Sequence, residues 1–125
     1  MAEYTKKLSA ANIKYILVIN DLQKKGMEQV RNIDVAKQLH LSKPSVHTML
    51  NALSEMNVIT KEQNGIIQFT AEGKRLAERY NEYFNAWKCY LNKDISDSER
   101  RKSAICAIIA ELSEEENRKI SKQYK

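Results

Sequence analysis

The sequence predicts a mainly α-helical fold of the winged helix-turn-helix class, with a two-stranded wing and additional C-terminal helices. Three observations within residues 30–74 carry this prediction. Ser42-Lys43-Pro44-Ser45 is a tight turn that opens a helix. Val46, Met49, Leu50 and Leu53 then give that helix an i, i+3, i+4, i+7 apolar stripe. Asn64-Gly65 separates two short runs of β-forming residues, and both residues tolerate positive φ.

Each element can be justified in chain order. Residues 9–25 predict the first helix: Ser9 caps it, Gly26 ends it, and Ile13, Ile16, Leu17 and Ile19 outline an apolar side. The second helix runs from Asp34 to His40, with Val35, Ala36 and Leu39 inward and His40 at its end. The third spans Pro44 to Met56. Ser42 is its N-cap, because the hydroxyl can accept from a free first-turn N–H. Pro44 sits near the first helical position, where its missing N–H is harmless. Val58–Lys61 and Ile66–Phe69 form the hairpin. Thr70 caps a long fourth helix from Ala71 to about Leu91, with the stripe Tyr80, Phe84, Trp87 and Leu91 and with Tyr83 and Tyr90 beside it. Residues 92–96 break the pattern. Ser96 or Ser98 starts a fifth helix reaching Glu111, whose apolar face is Ile105, Ile108, Ile109 and Leu112. Ser113 followed by three glutamates starts a sixth, since acids favour the positive end of the helix dipole. The glutamates are expected to be solvated.

This organisation divides the chain into a winged helix at residues 1–74 and a helical extension at residues 75–125. The extension carries more aromatic surface than a small winged helix can cover. Either the fifth and sixth helices fold back over it, or the first, fourth, fifth and sixth helices bury it between two copies. The second arrangement is favoured, which makes the extension a dimerisation unit.

Composition bounds the function. The chain has 125 residues, a net charge of +5 and 42% hydrophobic residues. The basic excess lies mainly in residues 1–91, with 13 Lys and Arg against 9 Asp and Glu. An anionic partner is expected. No apolar run is long enough for a bilayer and no leader is visible, so a cytoplasmic location without membrane contact is expected. The two cysteines, Cys89 and Cys106, suggest no disulfide framework. No nucleophile–base spacing, phosphate-binding glycine loop or paired carboxylates point to an enzyme.

The third helix points to double-stranded DNA. Opposite its core stripe it carries Pro44, Thr48 and Asn51, flanked by His47, a polar and nearly uncharged face suited to the major groove. Ser42 and Ser45 at the turn and Asn64 at the wing tip extend this candidate surface. Arg31, Lys43 and Lys61 are placed to hold phosphates.

Several stretches resemble the N-terminal part of the DtxR/MntR family of metal-dependent transcriptional repressors. They are Tyr15-Ile16, Lys25-Gly26, Val30-Arg31, Asp34-Val35-Ala36, the run from Leu39 to Val46 containing LSKPSV, and Thr70-Ala71-Glu72-Gly73-Lys74. The resemblance implies a homodimeric repressor whose recognition helix is Pro44 to Met56, with Ser42, Pro44 and Thr48 on DNA-contacting positions. It also implies a manganese or ferrous-iron switch. The matched ligand positions depart from that pattern. The first-helix acids fall on Ile13 and Ile16, or on Lys14 and Leu17. The fourth-helix histidine falls on Phe84, and the fifth-helix cluster on Cys106, Ile109 and Ala110. Only the Cys106 thiol among these could ligate, and it lies beside an apolar face, so no metal cofactor is expected. His40 and His47 sit on different elements and suggest no site. The leading expectation is a DNA-binding regulator without the usual metal switch. The alternatives are a MarR-like regulator controlled by a small apolar ligand or a partner protein, and a winged helix that contacts only proteins.

Overall fold

The first three helices close in the same way. In the computed structural model, which describes residues 8–91 and 99–123, α1 (Ala10–Lys24), α2 (Asn32–Leu39) and α3 (Lys43–Glu55) are each followed by a left-handed residue. These are Gly26 at φ 94°, His40 at φ 58° and Asn57 at φ 64°. One residue beyond each, an apolar residue donates its N–H back into the helix. Met27 donates to Leu22 O (3.1 Å), Leu41 to Ala36 O (3.1 Å) and Val58 to Leu53 O (3.0 Å). This six-to-one bond satisfies a carbonyl that the helix itself leaves free. It also turns the chain sharply enough for short connections.

The N-termini follow the predicted caps, with one shift. Asn12 N–H donates to Ser9 Oγ (3.0 Å) and Ser45 N–H donates to Ser42 Oγ (3.3 Å). Pro44 lies in the first turn of α3. Helix α2 begins at Asn32, two residues earlier than the sequence indicates. Asp34 is not its first residue but its third, and its carboxylate reaches back to accept the Arg31 N–H at 2.9 Å.

The wing is a two-stranded antiparallel sheet, β1 (Ile59–Lys61) and β2 (Ile67–Phe69), in the register Ile59–Phe69, Thr60–Gln68 and Lys61–Ile67. Between the strands, Glu62 N–H donates to Ile66 O (2.9 Å) and Gly65 N–H donates to Glu62 O (2.8 Å). Only Gly65 takes a positive φ, at 86°. Asn64 instead uses its side chain, whose Oδ1 accepts the Ile66 N–H at 3.1 Å. Ile67 N–H donates to Val30 O (2.8 Å), which anchors the wing to the segment before α2.

Helix α4 (Ala71–Leu91) starts as predicted, with Gly73 N–H donating to Thr70 Oγ1 at 2.9 Å. Helix α5 spans Glu99–Glu111 and α6 spans Glu114–Gln123. The break at residues 92–96 and the caps Ser96 and Ser98 lie outside the described residues.

The chain forms two compact units whose boundaries fall within α1 and α4. One is residues 15–78; the other combines the chain up to Lys14 with the chain from Arg79 onward. The first is the winged helix. Its core includes Ile16, Ile19, Val30, Val35, Val46, Leu50, Leu53, Ile59, Ile67 and Leu76, all 2% exposed or less. Helix α2 packs on α3, and α3 packs on β1.

In the second unit, Leu8, Ile13, Tyr80, Tyr83, Ala86, Ile105, Cys106 and Ile109 are buried. The buried face of α4 is therefore Tyr80, Tyr83 and Ala86, whereas Phe84, Trp87 and Leu91 are only half-buried and Tyr90 is 54% exposed. Glu114 holds two residues of this face. Tyr83 donates its hydroxyl to Glu114 Oε1 at 2.8 Å, Tyr80 donates to Oε2 at 3.3 Å, and Arg79 pairs with the same carboxylate at 3.7 Å. The two rings meet edge to face, 5.7 Å apart. Burial, reinforced by the carboxylate, pushes the Tyr83 hydroxyl up to about 12 and raises Tyr80 as well. Glu114 is thus only partly solvated, its side chain 42% exposed, where the sequence suggested a fully solvated acid. Glu115 and Glu116 are exposed, and Glu116 joins Ser113 in a reciprocal cap (2.9 and 3.1 Å). Part of the aromatic surface is covered within a single chain.

Candidate nucleic-acid interface

Helix α3 presents the face that the spacing predicted. Val46, Leu50 and Leu53 are fully buried and Met49 is half-buried. Pro44, His47, Thr48 and Asn51 are exposed, as are Ser42, Lys43 and Ser45 at the N-terminal end. Because the stripe pins one side of the helix, the opposite side has a fixed orientation rather than an averaged one.

The local hydrogen bonds decide what these side chains can offer. Ser42 Oγ donates to Ser45 Oγ (3.0 Å) while accepting the Ser45 N–H, so both hydroxyls are engaged in the turn. Thr48 Oγ1 donates to Pro44 O at 3.1 Å. Its proton is spent on the backbone, which leaves a methyl group and an acceptor lone pair facing outward.

The wing reaches α3 through Lys61. Its ammonium donates to Asn51 Oδ1 at 3.0 Å and lies 3.3 Å from His47 Nδ1, while Asn51 Nδ2 lies 3.2 Å from His47 Nε2. Three of the sequence-predicted residues are therefore one cluster. The sequence placed Lys61 apart from Asn51 and His47. The alternation along β1 held the missing signal: Ile59 is buried, and Lys61, two residues on, shares its side of the strand. Arg31 and Asn64 form a second pair at the wing tip, where Arg31 Nε donates to Asn64 O at 3.2 Å. Lys43 stands at the first position of α3 and Arg31 at the cap of α2, so both cations sit beside helix N-termini, where N–H groups also favour anions.

Helix, turn, recognition helix and wing in this order make a winged helix-turn-helix, the fold of DNA-binding regulators. Comparisons with known proteins narrow this. The family described as the IclR helix-turn-helix domain matches residues 24–63, about a third of the chain. No curated protein sequence matches. Among solved structures, the manganese regulator SloR superposes with a TM-score of 0.71 at 17% identity, over 91% of this chain and 54% of its own. The IdeR of T. acidophilum gives a TM-score of 0.62 at 18% identity, over 95% and 55%. The hypothetical protein SSo2273 from Sulfolobus solfataricus gives 0.60 at 18% identity, over 93% and 88%. SloR and IdeR are DtxR/MntR-type proteins, so the resemblance noted in the sequence extends to the fold. The chain spans about half the length of these two.

The fold raises the question of a metal, and the residues at the matched positions do not fit one. Ile13, Ile16 and Ile109 are buried at 2% exposure or less. Burial pushes the Cys106 thiol up to about 11, so it is a neutral group and a poor ligand for a hard cation. Lys14, which faces the thiol electrostatically, donates to Ser103 Oγ at 2.7 Å. Among the described residues, no three His, Cys, Asp or Glu side chains come together as a metal-binding group. None of the described helices is long and apolar enough to cross a membrane.

Proposed function

We propose that this protein is a sequence-specific transcriptional regulator that binds a palindromic DNA operator as a homodimer and needs no metal to do so. The observation that supports this reading most directly is the outward face of α3. It is exposed, capped and polar, with charge at its two ends, Lys43 at the N-terminus and Glu55 at the C-terminus, and none between them, while the inward face is fixed by Val46, Leu50 and Leu53. Such a face offers hydrogen bonds and a methyl group to base edges without the indiscriminate pull of a charged helix. On this reading the chain acts by binding, as the likeness of its fold to DNA-binding regulators suggests.

Selection from randomised duplexes followed by fluorescence anisotropy tests the reading. Asn51→Ala should weaken binding to the selected sequence by about 1–3 kcal/mol and leave scrambled DNA almost unaffected. Equal wild-type affinity for selected and scrambled duplexes defeats the assignment.

The dimer rests on α4. Phe84, Trp87 and Leu91 keep part of their apolar surface in the single chain and Tyr90 keeps more than half. Sedimentation should return a dimer at micromolar concentration. A monomer under those conditions would remove the two-fold operator from the proposal.

Metal independence has its own readout. A bound ion would stabilise the fold by RT ln(1 + [L]/Kd). Tm and operator affinity should therefore stay flat as manganese is added. A rise in both that disappears in Cys106→Ser would establish a metal switch built on that thiol.

A further inference from the structure

The contacts among Lys61, Asn51 and His47 cannot all be hydrogen bonds. Lysine has three donors and no acceptor, so its 3.0 Å contact fixes the Asn51 amide with Oδ1 toward Lys61 and Nδ2 toward His47. If His47 Nδ1 accepts from Lys61, the neutral ring carries its proton on Nε2, which then faces the Asn51 NH2 group donor to donor. If Nε2 accepts from Asn51, the proton sits on Nδ1 and faces the ammonium. One edge of the triangle is therefore always unmet. All three groups lie on the outer side of α3 and the adjoining end of β1, at the surface that would meet DNA.

The cluster has a surplus of donors. Lysine brings three N–H groups, asparagine two and neutral histidine one, against two internal acceptors, Asn51 Oδ1 and one ring nitrogen. What the cluster lacks is an acceptor supplied from outside. In the major groove, guanine presents two acceptors, N7 and O6, on one edge. Adenine presents one acceptor, N7, beside a donor, cytosine a donor, and thymine one acceptor beside a methyl group. The chemistry of the surplus matches guanine best.

We infer that Lys61, Asn51 and His47 form a single reading unit shared by wing and recognition helix, and that this unit selects a guanine in each half-site. Lys61 is then a specificity-determining residue and not a phosphate clamp. Its ammonium holds the Asn51 amide in one orientation and itself reaches the base. The inference rests on the proposal that α3 reads DNA, and it adds which base is read and by which residues.

The test uses the full chain, a randomised duplex library and four variants: Lys61→Ala, Lys61→Met, Asn51→Ala and the Lys61→Ala/Asn51→Ala double. Lys61→Met keeps the aliphatic stem, so loss of packing is separated from loss of the ammonium. The wild type should select a guanine at one position of each half-site. Both Lys61 variants and Asn51→Ala should erode that same preference by about tenfold, and the double should erode it little further. Replacing that guanine with 7-deazaguanine, which lacks the N7 acceptor, should weaken the wild type and leave Lys61→Met unchanged. If the Lys61 variants weaken all sequences alike and lower the salt slope by about one unit, Lys61 holds a phosphate and the inference is overturned. If the wild type selects a sequence with no guanine dependent on Asn51, only the inference fails. If it selects no sequence at all, the DNA-reading proposal fails and takes the inference with it.

Discussion

Leu50→Ala should destabilise the protein by about 2–5 kcal/mol, the range for removing a fully buried leucine side chain. Leu50 has no solvent exposure and sits mid-helix on α3, next in sequence to the outward-facing Asn51. The loss combines the transfer energy of the deleted carbons with the cavity left between α3 and its neighbours. It should also reach function, because Val46, Leu50 and Leu53 are what fix the direction of the outer face. Urea unfolding measures the first effect, and operator affinity at a temperature where the variant is folded measures the second. Leu50→Met, which nearly conserves volume, should cost less than about 1.5 kcal/mol and keep affinity. A loss below about 1 kcal/mol for Leu50→Ala would mean that α3 is not seated by this stripe.

Gly73→Ala should destabilise by an amount near the upper end of about 1–3 kcal/mol. At an ordinary helix position the same change gains up to about 1 kcal/mol, so the sign itself is the test. A Cβ built on Gly73 overlaps the Val58 carbonyl oxygen and comes within 3.2 Å of Phe69 Cδ1. The carbonyl cannot simply retreat. It accepts from Thr70 N–H at 3.0 Å and lies 3.1 Å from Thr70 Oγ1, whose single proton it shares with Asn57 O at 2.7 Å, and moving it would break the first of these bonds. The close approach ties the start of α4 to the residue preceding β1. A variant more stable than the wild type in urea unfolding would contradict this packing.

How much of this was legible in the sequence depends on how local each interaction is. The caps at Ser9, Ser42, Thr70 and Ser113, the proline in the first turn of α3 and the turn at Gly65 are decided within three or four residues, and they were placed correctly. The start of α2 was missed because its cap uses a reach-back from Asp34 to an arginine, a weaker signal than a Ser or Thr cap. The buried face of α4 was misassigned because its partners are remote in sequence: Glu114, which two of its residues contact, lies 31 and 34 residues beyond those tyrosines. A run of three glutamates ordinarily reads as solvated. The Lys61–Asn51 contact was missed for a related reason, since it depends on how the wing folds over α3 and not on either element alone. The exposed face of α3 was legible because it is the complement of a buried stripe.

Trp87 is the only tryptophan in the chain, and it stands edge to face with Tyr90 at 5.6 Å in the unit formed by the two ends of the sequence. The winged helix at residues 15–78 therefore contributes nothing to tryptophan emission. Fluorescence of the unmodified protein is a native optical label for one unit, while far-ultraviolet circular dichroism sums the helices of both. Coincident transitions from the two signals would mark a single cooperative melting unit, and separated transitions would assign a melting order to the two halves without any added probe.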